Sequence, residues 1–298
     1  MTRNTDLKSI LFPVTLRDVF VEVPVETNLF GETTYQKNRA PRHKAVVNEN
    51  NNHVFSIVTD QYKLISNQEA FEIAMRIFNQ LFNTVNPSEM EVFNIFTSSK
   101  FSYCHIDIIH KTYSINIYDN EVYIPFIRAT NSYNRNNKLG FDVGFVRLLC
   151  NNGMIFEEET IKLRYSHMKH VLNDQEDIIL EANKLKHLEV QFKTYLDKIK
   201  EKEVSRDEAL ITMQTVLNLK FDTQNANSKI ANKNRERLRE FTGDFDTIYK
   251  KYKDEFGESA YTLFNTITEY CSQARRGIIN TNQIDAMQKR AGEWLKTA

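Results

Sequence analysis

Three cysteines in 298 residues, Cys104, Cys150 and Cys271, are too few and too scattered for a disulfide framework, and they fit a reducing compartment. No apolar run approaches the roughly 20 residues that a membrane-spanning helix needs. The first residues, MTRNTD, lack the apolar core of a signal peptide, so the expectation is a cytoplasmic protein with no membrane partner. Excess charge is also missing. Lys plus Arg and Asp plus Glu both number 39, so no global field draws the chain to a polyanion, and any such site must be a local patch. Catalytic signatures are absent as well. There is no Gly-x-x-x-x-Gly-Lys-Ser/Thr phosphate loop, no Gly-x-Gly-x-x-Gly, and no Gly-x-Ser-x-Gly elbow. His167 and His170 share a spacing that zinc can use, but zinc wants three or four ligands and no second pair accompanies them. These absences predict a protein without enzymatic activity, cofactor or metal. A metal-dependent nuclease built on Asp107 and the nearby His105 and His110 is the minor alternative.

What is present is a change of period. Val19, Val21 and Val23 alternate with Phe20 and Glu22 as in a half-buried strand. Ala45–Val47 and Val54–Val58 flank the polar run 48–52, which predicts a hairpin. Ser66 and Glu69 form a capping box ahead of Phe71, Met75, Phe78 and Phe82, giving one helix near 67–83 that ends before Pro87. Strand alternation returns at Tyr113, Ile115 and Ile117, then at Val122, Ile124 and Phe126, with Asp119-Asn120 as the turn between them. A polar loop over 130–138 leads to a strand from Phe141 to Cys150. Asn151-Asn152-Gly153 is expected to close a tight hairpin with Ile161, Leu163 and Tyr165.

Beyond about residue 172 the period becomes helical. Ile178, Leu185, Phe192 and Ile199 recur seven apart, Ser205 to Glu208 is a second capping box, and three further apolar stripes follow. The chain therefore reads as α+β: an antiparallel strand-rich domain over 1–172 with one inserted helix, and an all-helical domain over 173–298 packed on it. No Gly/Ser/Pro-rich linker separates them.

Two basic stretches stand out against the neutral total. Lys37, Arg39, Arg42, His43 and Lys44 lie close together with no acid among them, and Tyr35 precedes them. Arg128, Tyr133, Arg135, Lys138 and Arg147 form the second, with Asp142 the one acid in the span. Single-stranded nucleic acid asks for this combination, since cations neutralise phosphates and exposed aromatic faces stack on bases. A solvated loop whose charges bind nothing is the competing reading.

Four segments carry a resemblance. Tyr62-Lys63-Leu64-Ile65-Ser66-Asn67-Gln68-Glu69-Ala70-Phe71 resembles a strand leading to "N-x-E-A-F", and residues 146–153 resemble an "R-x-V-C-x-N" hairpin. Arg164 to His167 is similar to "R-x-x-H", and residues 263–270 to a helical "N-x-x-T-E-Y". In this order they resemble the phage/plasmid-like domain of unknown function numbered nine hundred and thirty-two. The resemblance implies a mobile-element protein and no particular reaction. A strand-helix core with basic loops is also similar to the phage single-strand annealing proteins, by analogy of fold. The expected function is non-enzymatic binding, with annealing, of single-stranded DNA in recombination or replication by a homo-oligomer. The alternative is a phage protein-interaction factor, either a host-defence inhibitor or a virion component, whose partner is a host or phage protein.

Overall fold

The computed structural model describes residues 6–27, 29–82, 87–98, 100–118, 121–147, 152–155, 163–165, 167, 188–225, 227–273 and 281–298. A short helix α1 (Leu7–Ile10) leads into β1 (Val14–Thr27), β2 (Thr33–Asn48) and β3 (Val54–Thr59), then α2 (Asn67–Phe82). The strands β4 (Met90–Thr97), β5 (Tyr103–His110), β6 (Ile115–Tyr118), β7 (Glu121–Ser132), β8 (Leu139–Arg147), β9 (Asn152–Ile155) and β10 (Leu163–Tyr165) follow. The helices α3 (Leu188–Glu201), α4 (Arg206–Val216), α5 (Ser228–Phe256), α6 (Ala260–Gln273) and α7 (Thr281–Thr297) complete the described chain. The α+β division, with antiparallel strands and one inserted helix before helices, is the one the period change predicts.

Two sheets form. One runs β1-β2-β3; the other runs β10-β8-β7-β5-β4, with β6 also on β7 and β9 also on β8. Alternation in the larger sheet sorts its faces. Ile106, Ile108, Ile127, Ala129, Phe141, Val143 and Phe145 point to one side, where Ile73, Ile77 and Phe78 of α2 and Phe192 and Leu196 of α3 cover them. Phe145 and Phe192 stack with centroids 4.4 Å apart. Tyr261, Phe264 and Leu295 join the same cluster, so one core draws on both sides of residue 172. A second cluster lies among the helices, where Met213, Phe245, Ile267 and Met287 meet.

Local signals behave as capping chemistry requires. The Ser66 amide donates to Glu69 Oε2 at 2.7 Å while the Glu69 amide donates to Ser66 Oγ at 3.1 Å, opening α2. Ser205 and Glu208 repeat the arrangement at α4.

Three expectations need correction. Beyond Val19 the alternating valines of β1 are not half-buried: residues 20–27 are exposed on both faces. The loop expected over 130–138 is shorter, because Thr130, Asn131 and Ser132 continue β7 and pair with β5. Asn152 and Gly153 are strand residues opposite Arg147 and Val146 and do not form the turn. The return pairing is as expected, with Leu163 opposite Phe141. The helical stripe ending at Ile199 is described from Leu188; Ile178 and Leu185 lie outside the described residues, as do residues 119–120, Cys150, Ile161 and His170.

Candidate nucleic-acid interface

The expected basic patch divides into buried and exposed members. Arg128, on the central strand β7, is 1% exposed. Its guanidinium grips Asp107 of β5 through Nε–Oδ1 at 2.6 Å and Nη2–Oδ2 at 2.7 Å, and it donates to Asp285 and Gln288 of α7 at 3.0 and 2.9 Å. Burial opposes its charge, but the facing Asp107 and Asp285 carboxylates hold it more firmly protonated than a free arginine. Asp142 stands beside it in register on β8, within 3.6 Å of Lys289. Arg147 is also buried; its guanidinium lies over the rings of Tyr252 and Phe256 at 5.5 and 5.4 Å, with Glu255 at 3.7 Å. These two arginines fix helices to the sheet and cannot meet a phosphate.

Tyr133 is buried too. Its hydroxyl accepts from the Asn67 amide at 2.8 Å, and Ser56 Oγ donates to its carbonyl at 2.6 Å, so it pins the turn after β7 to both α2 and β3. Burial raises its hydroxyl above the ordinary tyrosine range. Strand alternation carried the missed signal for Arg128 and Tyr133, since Arg128 follows Phe126 on one face and Tyr133 follows Ala129 and Asn131 on the other.

Exposed members remain on two neighbouring elements. Arg135 and Lys138 stand in solvent on the turn that Tyr133 anchors. Arg135 has φ 66, a left-handed conformation steadied by its neighbour, since Asn134 Oδ1 accepts from the Asn136 amide at 3.1 Å. Burial pushes the Tyr62 hydroxyl up to about 12, and the Arg135 charge pulls the other way.

The second element is a two-stranded arm. β1 and β2 pair regularly at the root, from Val14 opposite Asn48 to Asp18 opposite Lys44. The register then jumps so that Phe20 faces Arg39, and the pairing continues out to Thr27 opposite Thr33. Pro41, which has no amide hydrogen to give a ladder, and Arg42 at φ 62 occupy the jump. Asp18 bridges it, with Lys44 Nζ at 2.6 Å on the root side and Arg39 Nη2 at 3.0 Å on the arm side. The Lys44 hydrogen bond, and then Arg39, hold the Asp18 carboxyl below its usual range.

Register also sorts the arm's two faces. One carries Phe20 beside Arg39, Glu22 beside Lys37 and Pro24 beside Tyr35. Phe20 and Tyr35 are 57% and 62% exposed, so two aromatic rings and two cations alternate on one open surface. The other face carries Val21 beside Asn38 and Val23 beside Gln36 and, past a second register shift after Pro24, Glu26 beside Thr34. Phe20 was missed as a site residue because an aromatic in an alternating strand reads as core.

Elsewhere, a groove of about 820 Å3 lies among α5, α6 and α7. Its rim mixes Lys233, Arg237 and Arg290 with Glu236, Glu240 and Asp244, and so favours neither sign of ligand. Among the described residues no group of three or more His, Cys, Asp or Glu is placed to hold a metal, and no helix is long and apolar enough to cross a membrane. His105 and Asp107 share a face, as expected, but each has its own partner: His105 Nδ1 meets Thr130 Oγ1 at 2.8 Å.

A family model described as a domain of unknown function, DUF932, matches residues 54–294. The arm formed by β1 and β2 precedes that match. No curated protein and no solved structure matched the chain.

Proposed function

We propose, for a chain that belongs to the DUF932 family and receives no activity from that family's description, that it binds single-stranded nucleic acid without chemistry. The observation that carries this reading is the alternation of Phe20, Arg39, Lys37 and Tyr35 on one solvent face of the arm. Sequence-independent binding of a single strand needs cations to track the backbone and open aromatic faces on which bases stack. Arg42 and Lys44 extend the cations to the arm's root, and Arg135 and Lys138 are exposed cations on the turn after β7. The Lys37–Glu22 pair, at 3.7 Å with side chains 72% and 60% exposed, is a surface contact of little strength and leaves the lysine available. The process served would be recombination or replication on a mobile element, with annealing following from strands held extended and bases open.

Fluorescence anisotropy with an unstructured oligonucleotide across a salt series tests this. Tyr35→Ala should weaken binding by about 1–3 kcal/mol. Removing Arg39, Arg42 or Lys138 should each lower the salt slope by about 0.7. Arg128→Met should leave the slope unchanged where the protein is folded. A wild-type protein that fails to bind at low salt would end this reading.

A further inference from the structure

The cation-and-aromatic face of the arm has a set length and a set spacing. Two register shifts bound it, one between Asp18 and Phe20 at the root and one between Pro24 and Glu26 toward the tip. Between them lie three regular levels: Phe20 beside Arg39, Glu22 beside Lys37, and Pro24 beside Tyr35. Past the outer shift Glu26 falls on the other face, beside Thr34, so the surface ends there. Levels on one face of an antiparallel ladder are two residues apart, or about 6.8 Å. That is twice the roughly 3.4 Å by which a base-stacked strand advances per nucleotide.

We infer, resting on the nucleic-acid binding proposed above, that this face takes a stretched, unstacked strand at one nucleotide per level, and so selects thymine-rich over adenine-rich single strands. A stacked strand would bring every second phosphate to Arg39 and Lys37. Its bases, however, are already covered by their neighbours and offer Phe20 and Tyr35 no free face. Rings that are 57% and 62% exposed, two levels apart, are covered by bases only where those bases have opened from one another.

Charge sets the path. Arg39 and Lys37 both belong to β2, whereas Glu22 stands on β1 and repels a phosphate there. Phosphates therefore track β2, and the first base crosses the ribbon onto Phe20 of β1. The third base covers Tyr35, next to Pro24. A trinucleotide is the shortest strand that reaches both rings. Opening is what discriminates between sequences, since adenines stack strongly on one another and thymines weakly. An adenine strand gives up more to lie along the arm.

Fluorescence anisotropy of the full chain at low salt, with thymine-only and adenine-only DNA oligonucleotides of equal length, tests this. The thymine strand should bind about tenfold more tightly, the equilibrium equivalent of one mean stacking step. The near-ultraviolet circular dichroism of the adenine strand, which reports its stacking, should diminish as protein saturates it. Phe20→Ala combined with Tyr35→Ala should weaken binding to both strands and bring their ratio toward one, because cations alone do not require open bases. Both positions are exposed, so the variant's far-ultraviolet circular dichroism should match wild type. Equal affinity of wild type for the two strands, or an adenine signal unchanged at saturation, overturns the inference and leaves nucleic-acid binding standing. So does a double variant that keeps the full tenfold ratio. Failure to bind either strand removes the proposed function itself, and this inference with it.

Discussion

At the scale of single residues, the strongest statement concerns the buried row Asp107, Arg128 and Asp142, which lies in register across three adjacent strands. Removing one partner of a buried ion pair leaves the other charged and unsolvated, and typically costs about 3–5 kcal/mol. Asp107→Ala should therefore lower the urea midpoint sharply, while Asp107→Leu combined with Arg128→Met should lose much less than the two single changes together. Additive losses would mean the pair is not coupled. His105 gives a pH signature in the same region. Burial lowers its folded pKa, although Asp285, Asp107 and Asp142 raise it and Arg128 opposes them. A base whose folded pKa is depressed contributes stability above its unfolded pKa of about 6.5 and loses it as pH falls. Denaturation followed from pH 8 to 5 should show declining stability, and His105→Gln should flatten part of that decline. An unchanged slope in the variant would assign the decline to other groups.

At the scale of elements, the arm would, on the proposed function, separate stability from binding. No residue from 20 to 43 is buried among those described, so its strands add little to the core. Replacing residues 20–39 with a short Gly-containing turn should leave the melting temperature within a few degrees and abolish oligonucleotide binding; a large drop would show that the arm packs on the body. Asp18→Asn should speed amide exchange in the arm without affecting β5 or β7, because it loosens only the contact across the register jump. The arm also shows where sequence reasoning stops. Its cations Lys37, Arg39, Arg42 and Lys44 were legible as a patch, since four basic residues without an acid are a local fact. Their attachment to a projecting ribbon was not, because alternation in β1 looks the same whether one face is buried or neither is. Arg128 and Arg147 failed for the complementary reason: a cation on a strand is drawn as exposed unless its carboxylate, here on β5 or a distant helix, is known. The capping boxes at Ser66 and Ser205 were read correctly, since their chemistry is complete within four residues.

At the scale of the whole molecule, the sheet and the helices share a core, in which Phe192, Tyr261 and Phe264 fill one face of the larger sheet alongside α2. The change of period at residue 172 correctly separated strands from helices, yet periodicity carries no information about which apolar face meets which. Truncating Phe192 to alanine should cost about 3–5 kcal/mol. It should do so in one transition, with far-ultraviolet and aromatic signals coinciding, because both halves lose the same contact. Two resolved transitions, with only the helical signal displaced, would contradict a common core.

The arm also has a division of charge between its strands: Asp18 and Glu22 belong to β1, while the Lys44, Arg39 and Lys37 they meet belong to β2. Each carboxylate is thus a tethered competitor for the anion its cation would otherwise hold. Such an internal rival is easily displaced by a polymer that engages several cations together, and poorly displaced by a lone monovalent anion. The arm should therefore discriminate by length: mononucleotides should fail to compete with a bound oligonucleotide even at large excess. Glu22→Gln should relax that discrimination, admitting shorter strands than the wild type accepts.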